Sequence, residues 1–291
     1  HNELSLKNPR MGSKRRARYD TLAAVLGVHY LSETSLETDI RPALKNYVSY
    51  LQENRQVKNS TIDRYLNATL AILNFGNEYY EFNWNVKKPK FGKVVNQARK
   101  QYQAKEQIII VQSCLGQEGH KAQVALCILM YLQGGMMPSE LERLRPEDMR
   151  LSGSTPCLVI SQTAKTKDRR RVVPVVFGLD FIKTHIENTQ HWLKSTSESN
   201  VSRQMKTMLN QFIPHMPEQT PHCLRHTFEH NVICNEANSH NAALIAGWSG
   251  DKAGISDRML KYGMGDMLNT EYLKSLFSTS KVINKHLLDV Y

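Results

Sequence analysis

Between Trp84 and Lys105 the chain carries seven basic side chains (Lys87, Lys88, Lys90, Lys93, Arg99, Lys100 and Lys105) and no acid. Pro89 and Gly92 fall in the same stretch. Apolar residues recur at helical spacing on either side of it, but not through it. A segment this charged cannot lie inside a core, and its breakers interrupt any helix, so it divides the chain in two. Upstream, Leu44, Val48 and Leu51, and then Ile62, Leu66, Leu70 and Leu73, fall three or four apart. That spacing predicts a helical domain over residues 21–88. Ser60 followed by Asp63 reads as a capping box at the start of its second helix. After a linker at 89–103, a second domain is expected over 104–267, with a C-terminal segment at 268–291. Val111, Ala125, Leu126, Leu129 and Met130 predict helices there, and Pro138-Ser139-Glu140-Leu141 the start of another. Leu158-Val159-Ile160 and Arg171-Val172-Val173-Pro174-Val175 flank a basic turn and predict a β-hairpin. Helices are expected again over Phe181–Leu193 and Leu224–Ile233. The fold class is therefore mainly α with a small β-sheet.

The basic linker is one of three sources of positive charge. The 291 residues carry 38 Lys+Arg against 27 Asp+Glu, a net of +11. Residues 1–20 hold Lys7, Arg10, Lys14, Arg15, Arg16 and Arg18 against two acids, and read as a basic arm. Residues 165–171 hold Lys165, Lys167, Arg169, Arg170 and Arg171 against Asp168. These segments, with the linker, carry more than the whole excess and leave the rest mildly acidic. A single run reads as a solvated face, but three such clusters point to a phosphate backbone. Backbone contact is accordingly expected at Lys14, Arg15, Arg16, Arg18, Lys87, Lys88, Lys90, Lys93, Arg99, Lys100, Lys167, Arg169, Arg170 and Arg171. Other classes drop out. With 41% hydrophobic and 22% charged residues the chain is expected to be globular rather than disordered. Its apolar run at Ala125–Leu132 is far short of the ~20 residues of a membrane span. Five scattered cysteines predict reduced thiols in a cytosolic protein, with no metal site.

Five elements then follow in order: Gly135-Met136-Met137-Pro138-Ser139-Glu140-Leu141, Lys165-Thr166-Lys167, His222-Cys223-Leu224-Arg225-His226, Gly247-Trp248, and Met259-Leu260-Lys261-Tyr262-Gly263. His222 and Arg225 are three apart, so one helical turn aims both at a single anion. Arginine offers planar, paired donors to phosphate oxygens, and histidine donates or exchanges a proton near neutral pH. Together the five elements resemble the tyrosine recombinase (phage integrase) family. The resemblance covers residues 104–270 and extends more loosely to 20–100. It implies a helical core-binding domain followed by a mixed catalytic domain.

The chemistry it implies is DNA strand cleavage and rejoining through a 3′-phosphotyrosine, with no cofactor. Tyr262 is then the nucleophile, with Tyr272 as the rival. Lys165 protonates the leaving 5′ oxygen, with Lys167 as the alternative, and Arg225, His222 and Trp248 stabilise the phosphoryl group. The partners implied are double-stranded DNA, three further copies in a homo-tetramer across two duplexes, and accessory DNA-bending proteins. The C-terminal segment is expected to pass to a neighbouring protomer. The protein is expected in the cytoplasm, at the nucleoid of a bacterial host, and the basic arm 1–20 reads either as a peripheral contact or as a linker to an arm-binding domain.

One position departs from the pattern. Met137 stands where the family carries an arginine, and a thioether has neither charge nor donor. Reduced cleavage is expected, whether the substitution is engineered or the chain is a naturally degenerate member. Two rival readings remain. One is a non-catalytic DNA-binding protein of recombinase ancestry. The other is a zinc peptidase using His226-Thr227-Phe228-Glu229-His230, the inverted His-x-x-Glu-His motif.

Overall fold

The computed structural model describes residues 39–79, 81–92, 100–160, 171–216, 219–248 and 269–290. Two compact units divide the chain, His1–Ala98 and Arg99–Tyr291.

In the first unit, α1 (Arg41–Glu53) and α2 (Asn59–Tyr79) form a helical pair. The predicted spacing becomes their interface. Leu44, Tyr47, Val48 and Leu51 meet Ile62, Leu66 and Leu73 in one buried cluster. The capping box is not the use to which Asp63 is put. Its carboxylate instead accepts from Lys88 Nζ at 2.5 Å and from Asn67 Nδ2 at 3.1 Å. The start of the basic stretch is also tied down. Asn77 grips both backbone groups of Trp84, at 2.7 and 2.9 Å, and Phe82, Trp84, Val86 and Phe91 pack onto the helical cluster. Lys87 and Lys90 stay exposed.

The second unit runs α3 (Ala104–Leu115), α4 (Gly119–Gly134), α5 (Pro138–Leu141), β1 (Met149–Arg150), β2 (Cys157–Ile160), β3 (Arg171–Pro174), α6 (Leu179–Ser195), α7 (Glu198–Phe212), α8 (His222–Cys234), α9 (Ser239–Ala246) and α10 (Thr270–Ile283). Helix α4 is apolar all round, so it can only be central. It is buried from Val124 to Gly134 and packs against α3, α6, α7, α8 and β3. The predicted strands pair antiparallel, Leu158 opposite Val173 and Ile160 opposite Arg171, and a short β1 adds a third strand. The fold class expected from the pattern therefore holds. Tyr102, near the far end of the basic stretch, is buried, and its N–H donates to Thr227 Oγ1 at 2.9 Å.

Helix α10 docks on its own unit, where Leu276 and Ile283 join Phe228, Ala243 and Ile245 in a second cluster. Asn241 Nδ2 donates to Ser275 Oγ and Thr279 Oγ1, each at 2.9 Å, and Asn235 Nδ2 donates to Ile283 O at 2.9 Å. Apolar area and three bonds are thus satisfied within one chain. Among the described residues, no helix is long and apolar enough to cross a membrane.

Candidate active site

Two helices end at the same place. Helix α4 stops where Gly135 turns left-handed at φ 64°, and α9 stops where Gly247 does the same, also at φ 64°. Each end leaves carbonyls without helical partners and carries the negative end of a helix dipole, which favours cations. Two arginines fill that role. Arg225, on the first turn of α8, donates from Nη1 to Gly135 O and from Nη2 to Ala246 O, both at 2.9 Å. Arg171, the first residue of β3, donates from Nη1 to Ala246 O and from Nη2 to Gly135 O at 3.4 Å. The glycines are required twice over. A Cβ on Gly135 would lie 3.1 Å from Arg225 Nη1, and one on Gly247 would lie 2.7 Å from Arg171 Nη1.

Glu140 is the anion of this group. Its Oε2 accepts from Arg171 Nη2 at 2.7 Å and from the Met137 backbone N–H at 2.8 Å. Pro138 at the helix start and the Glu140 carboxylate folded back onto the Met137 N–H explain why four residues suffice for α5. Gln190 Nε2 holds the far end of the motif, donating to Leu141 O at 3.0 Å and to Leu144 O at 2.8 Å. The Met137 side chain is half-buried and packs against the main core. Arg145 is engaged by acids nearby, binding Asp148 at 3.1 Å and Glu147 at 2.9 Å.

His222 opens α8 on the same turn as Arg225, and both are half-buried. Tyr131 Oη lies 3.3 Å from His222 Nδ1. When that hydroxyl donates, the imidazole proton sits on Nε2. Sequence reasoning passed over Tyr131, because its place in an unbroken apolar run marks it as core. Trp248 lies against Phe228, ring centroids 6.1 Å apart, and its indole N–H finds no hydrogen-bond acceptor among the described residues. A buried donor of this kind is available to an incoming oxygen. Tyr272 fits the nucleophile's task poorly. Burial pushes its phenol above the usual value, which disfavours the phenolate.

The expected backbone contacts divide. Arg171 is 1% exposed and held by Glu140, so it sits in the site rather than on an open DNA-gripping turn. The reason is the strand register, which points it inward opposite Ile160. Lys88 is engaged by Asp63, whereas Lys87, Lys90 and Lys100 are exposed. Lys14, Arg15, Arg16, Arg18, Lys93, Arg99, Lys165, Lys167, Arg169, Arg170 and Tyr262 lie outside the described residues. The peptidase motif gains no metal geometry. His226 Nδ1 pairs with Glu229 Oε2 at 3.0 Å, and His230 lies 3.3 Å from Cys234 Sγ. Among the described residues, no group of three or more His, Cys, Asp or Glu side chains is placed to hold a metal ion.

The solved structure of the Tn1549 transposon integrase in complex with transposon right end DNA matches this chain with a TM-score of 0.57. The match covers 90% of this chain and 92% of that one, at 13% identity. This chain shares that integrase's fold. A second structure of the Tn1549 integrase, in complex with a circular intermediate DNA, matches with a TM-score of 0.52 at 14% identity, over 84% of this chain and 86% of that one. No protein-family model matches the chain, and no curated protein does. At such identity the shared feature is the fold, which agrees with the architecture the motif resemblance implies.

Proposed function

We propose that the protein is a site-specific recombinase or integrase that cuts and rejoins double-stranded DNA through a 3′-phosphotyrosine. The observation that carries this reading is the convergence of Arg225, Arg171 and His222 on the joined ends of α4 and α9. A phosphodiester under attack gathers negative charge on its non-bridging oxygens, and preorganised cationic donors stabilise that charge. In the proposed step Tyr262 gives up its phenolic proton to solvent and its Oη bonds to phosphorus, the bond from phosphorus to the 5′ oxygen breaks, and Lys165 protonates that oxygen. The phosphotyrosine conserves the bond energy, so the reverse attack by a 5′ hydroxyl rejoins the strand. Neither a metal nor a nucleotide is needed for the balance. Trp248 would add its indole N–H to the phosphate. The DNA partner of the integrase of like fold supports the choice of substrate, as does the charge excess of the basic segments. Assembly as a tetramer on two duplexes, with DNA-bending proteins, belongs to the same proposal.

Met137 favours a second reading of the same site, in which binding persists and turnover is slow. One lost hydrogen bond to a charged oxygen is worth about 1.5–3 kcal/mol, or roughly 10- to 100-fold in rate. Nicked suicide duplexes, chosen by selecting a random-sequence pool for binding, test both readings. The chain should form a covalent adduct that Tyr262→Phe abolishes and Tyr272→Phe retains. Met137→Arg should form it roughly 10- to 100-fold faster. DNA binding without any adduct, in the chain and in Met137→Arg alike, would leave only the non-catalytic reading.

A further inference from the structure

One cation of the basic stretch is already answered by an acid on the same unit. Lys88 Nζ donates to Asp63 Oδ1 at 2.5 Å and to Asn67 Oδ1 at 2.8 Å, and Asn67 Nδ2 donates to Asp63 Oδ2 at 3.1 Å. The three side chains close a ring on one face of α2, since Asp63 and Asn67 are one helical turn apart. Val86 and Phe91, on either side of Lys88 in the chain, pack onto the helical cluster and hold its backbone there. The side chains of Lys88 and Asp63 are nevertheless 31% and 35% exposed, and Lys87 and Lys90 are exposed as well. A half-exposed ion pair is weak in water, so the ammonium can exchange Asp63 for another anionic oxygen by side-chain rotation alone. Asn67 still donates to the carboxylate when Lys88 leaves, so the exchange strands no polar group.

Resting on the reading above of double-stranded DNA as the partner, we infer that Asp63 is a built-in competitor for the DNA phosphate at Lys88. Its carboxylate occupies the ammonium with the same kind of charged oxygen that a phosphodiester offers. A phosphate engaging Lys88 must displace that carboxylate and then keeps it as a like-charged neighbour. Lys88 therefore neutralises only part of a phosphate charge, short of what exposed Lys87 and Lys90 can do. Sequence-independent affinity rests on such contacts, so Asp63 lowers the grip of this face on duplex DNA.

Binding of the full chain to a fluorescent duplex of arbitrary sequence, followed by anisotropy over a salt series, makes the test. Asp63→Asn, Lys88→Gln, the double variant and Glu78→Gln are compared, each checked for folding by circular dichroism. Glu78 is an exposed acid on the same helix and measures what the loss of any one negative charge does. Asp63→Asn should bind about 2- to 5-fold more tightly at low salt, the range of one exposed ion pair. Its slope of log affinity against log salt should steepen by up to about 0.9. In the Lys88→Gln background, Asp63→Asn should gain no more than Glu78→Gln does. Unchanged or weaker binding in folded Asp63→Asn, the result of a purely structural ion pair, overturns the inference. A gain that survives in full without Lys88 overturns it too. Should Asp63→Asn fail to fold, Asp63→Ala, a better helix former at that position, decides in its place. A chain that binds no duplex in any variant overturns the inference together with DNA as the partner. Normal binding without a Tyr262 adduct sinks strand transfer alone, and the series still reports on Asp63.

Discussion

Gly247 shows how little room the arginine pair has. A methyl group there meets Arg171 Nη1 at 2.7 Å and must also adopt φ 64°. Gly247→Ala should therefore destabilise the protein by about 2 kcal/mol or more, read as a lower urea midpoint. Gly119→Ala is the control, since Gly119 has φ 54° with nothing within 4 Å of the added methyl group. It should lose only the conformational part, about 1 kcal/mol. Equal losses at both sites would mean that the contact with Arg171 carries no cost. Tyr131 offers a second test at this scale. Tyr131→Phe removes the hydroxyl 3.3 Å from His222 Nδ1 without changing the ring that fills the core. Adduct formation should slow by roughly 3- to 10-fold, the worth of one ordinary hydrogen bond, with DNA affinity unchanged. His222 and Arg225 were legible as a pair because one helical turn relates them. Tyr131 was not, because a hydroxyl that turns from core to site leaves no mark in a hydrophobicity pattern.

The described parts of the basic stretch are anchored, each on its own unit. Trp84 and Val86 seat one end on the first unit, and Tyr102 seats the other on the second. Its cations differ accordingly. Lys87 and Lys90 are exposed, whereas Lys88 already pairs with Asp63. Each phosphate neutralised by a lysine adds about 0.9 to the slope of log affinity against log salt. Replacing Lys87 and Lys90 together with Gln should reduce that slope by up to about 1.8, and Lys88→Gln should reduce it less than either single change. A slope indifferent to Lys87 and Lys90 would remove these two lysines from the DNA interface. Periodicity made α1, α2, α4, α6 and α8 legible, since each buries one face or all of them. Helices α7 and α9 carry fewer apolar residues or are short, and they form on surfaces that other elements provide.

Charge outside the site also leaves a signature in stability. Burial pushes the Cys157 thiol up to about 11 from 9.0, and raises Cys114 and Cys127 as well. Each such group holds its proton in the folded chain at a pH where the unfolded chain releases it. The folded state then binds more protons, so stability is complete below about pH 9 and falls as pH rises above it. Each buried thiol costs about 1.4 kcal/mol per pH unit in that range. The urea midpoint under reducing conditions should drop between pH 8 and pH 10, and Cys127→Val should lessen the drop. A flat midpoint would show that the thiols are not held away from water. By itself the amino-acid sequence determined the division into two units, the central α4, the hairpin strands and the pairing of His222 with Arg225. All of these follow from spacing along a few turns of chain or from a local run of charge. Only the tertiary structure decided that Arg171 belongs to the site and not to a DNA-facing turn. Its partners Glu140 and Ala246 lie 31 and 75 positions away, and Arg225 reaches Gly135 across 90. Neither strand register nor the meeting of two helix ends is written in local spacing, so packing of the whole domain had to bring those charges together.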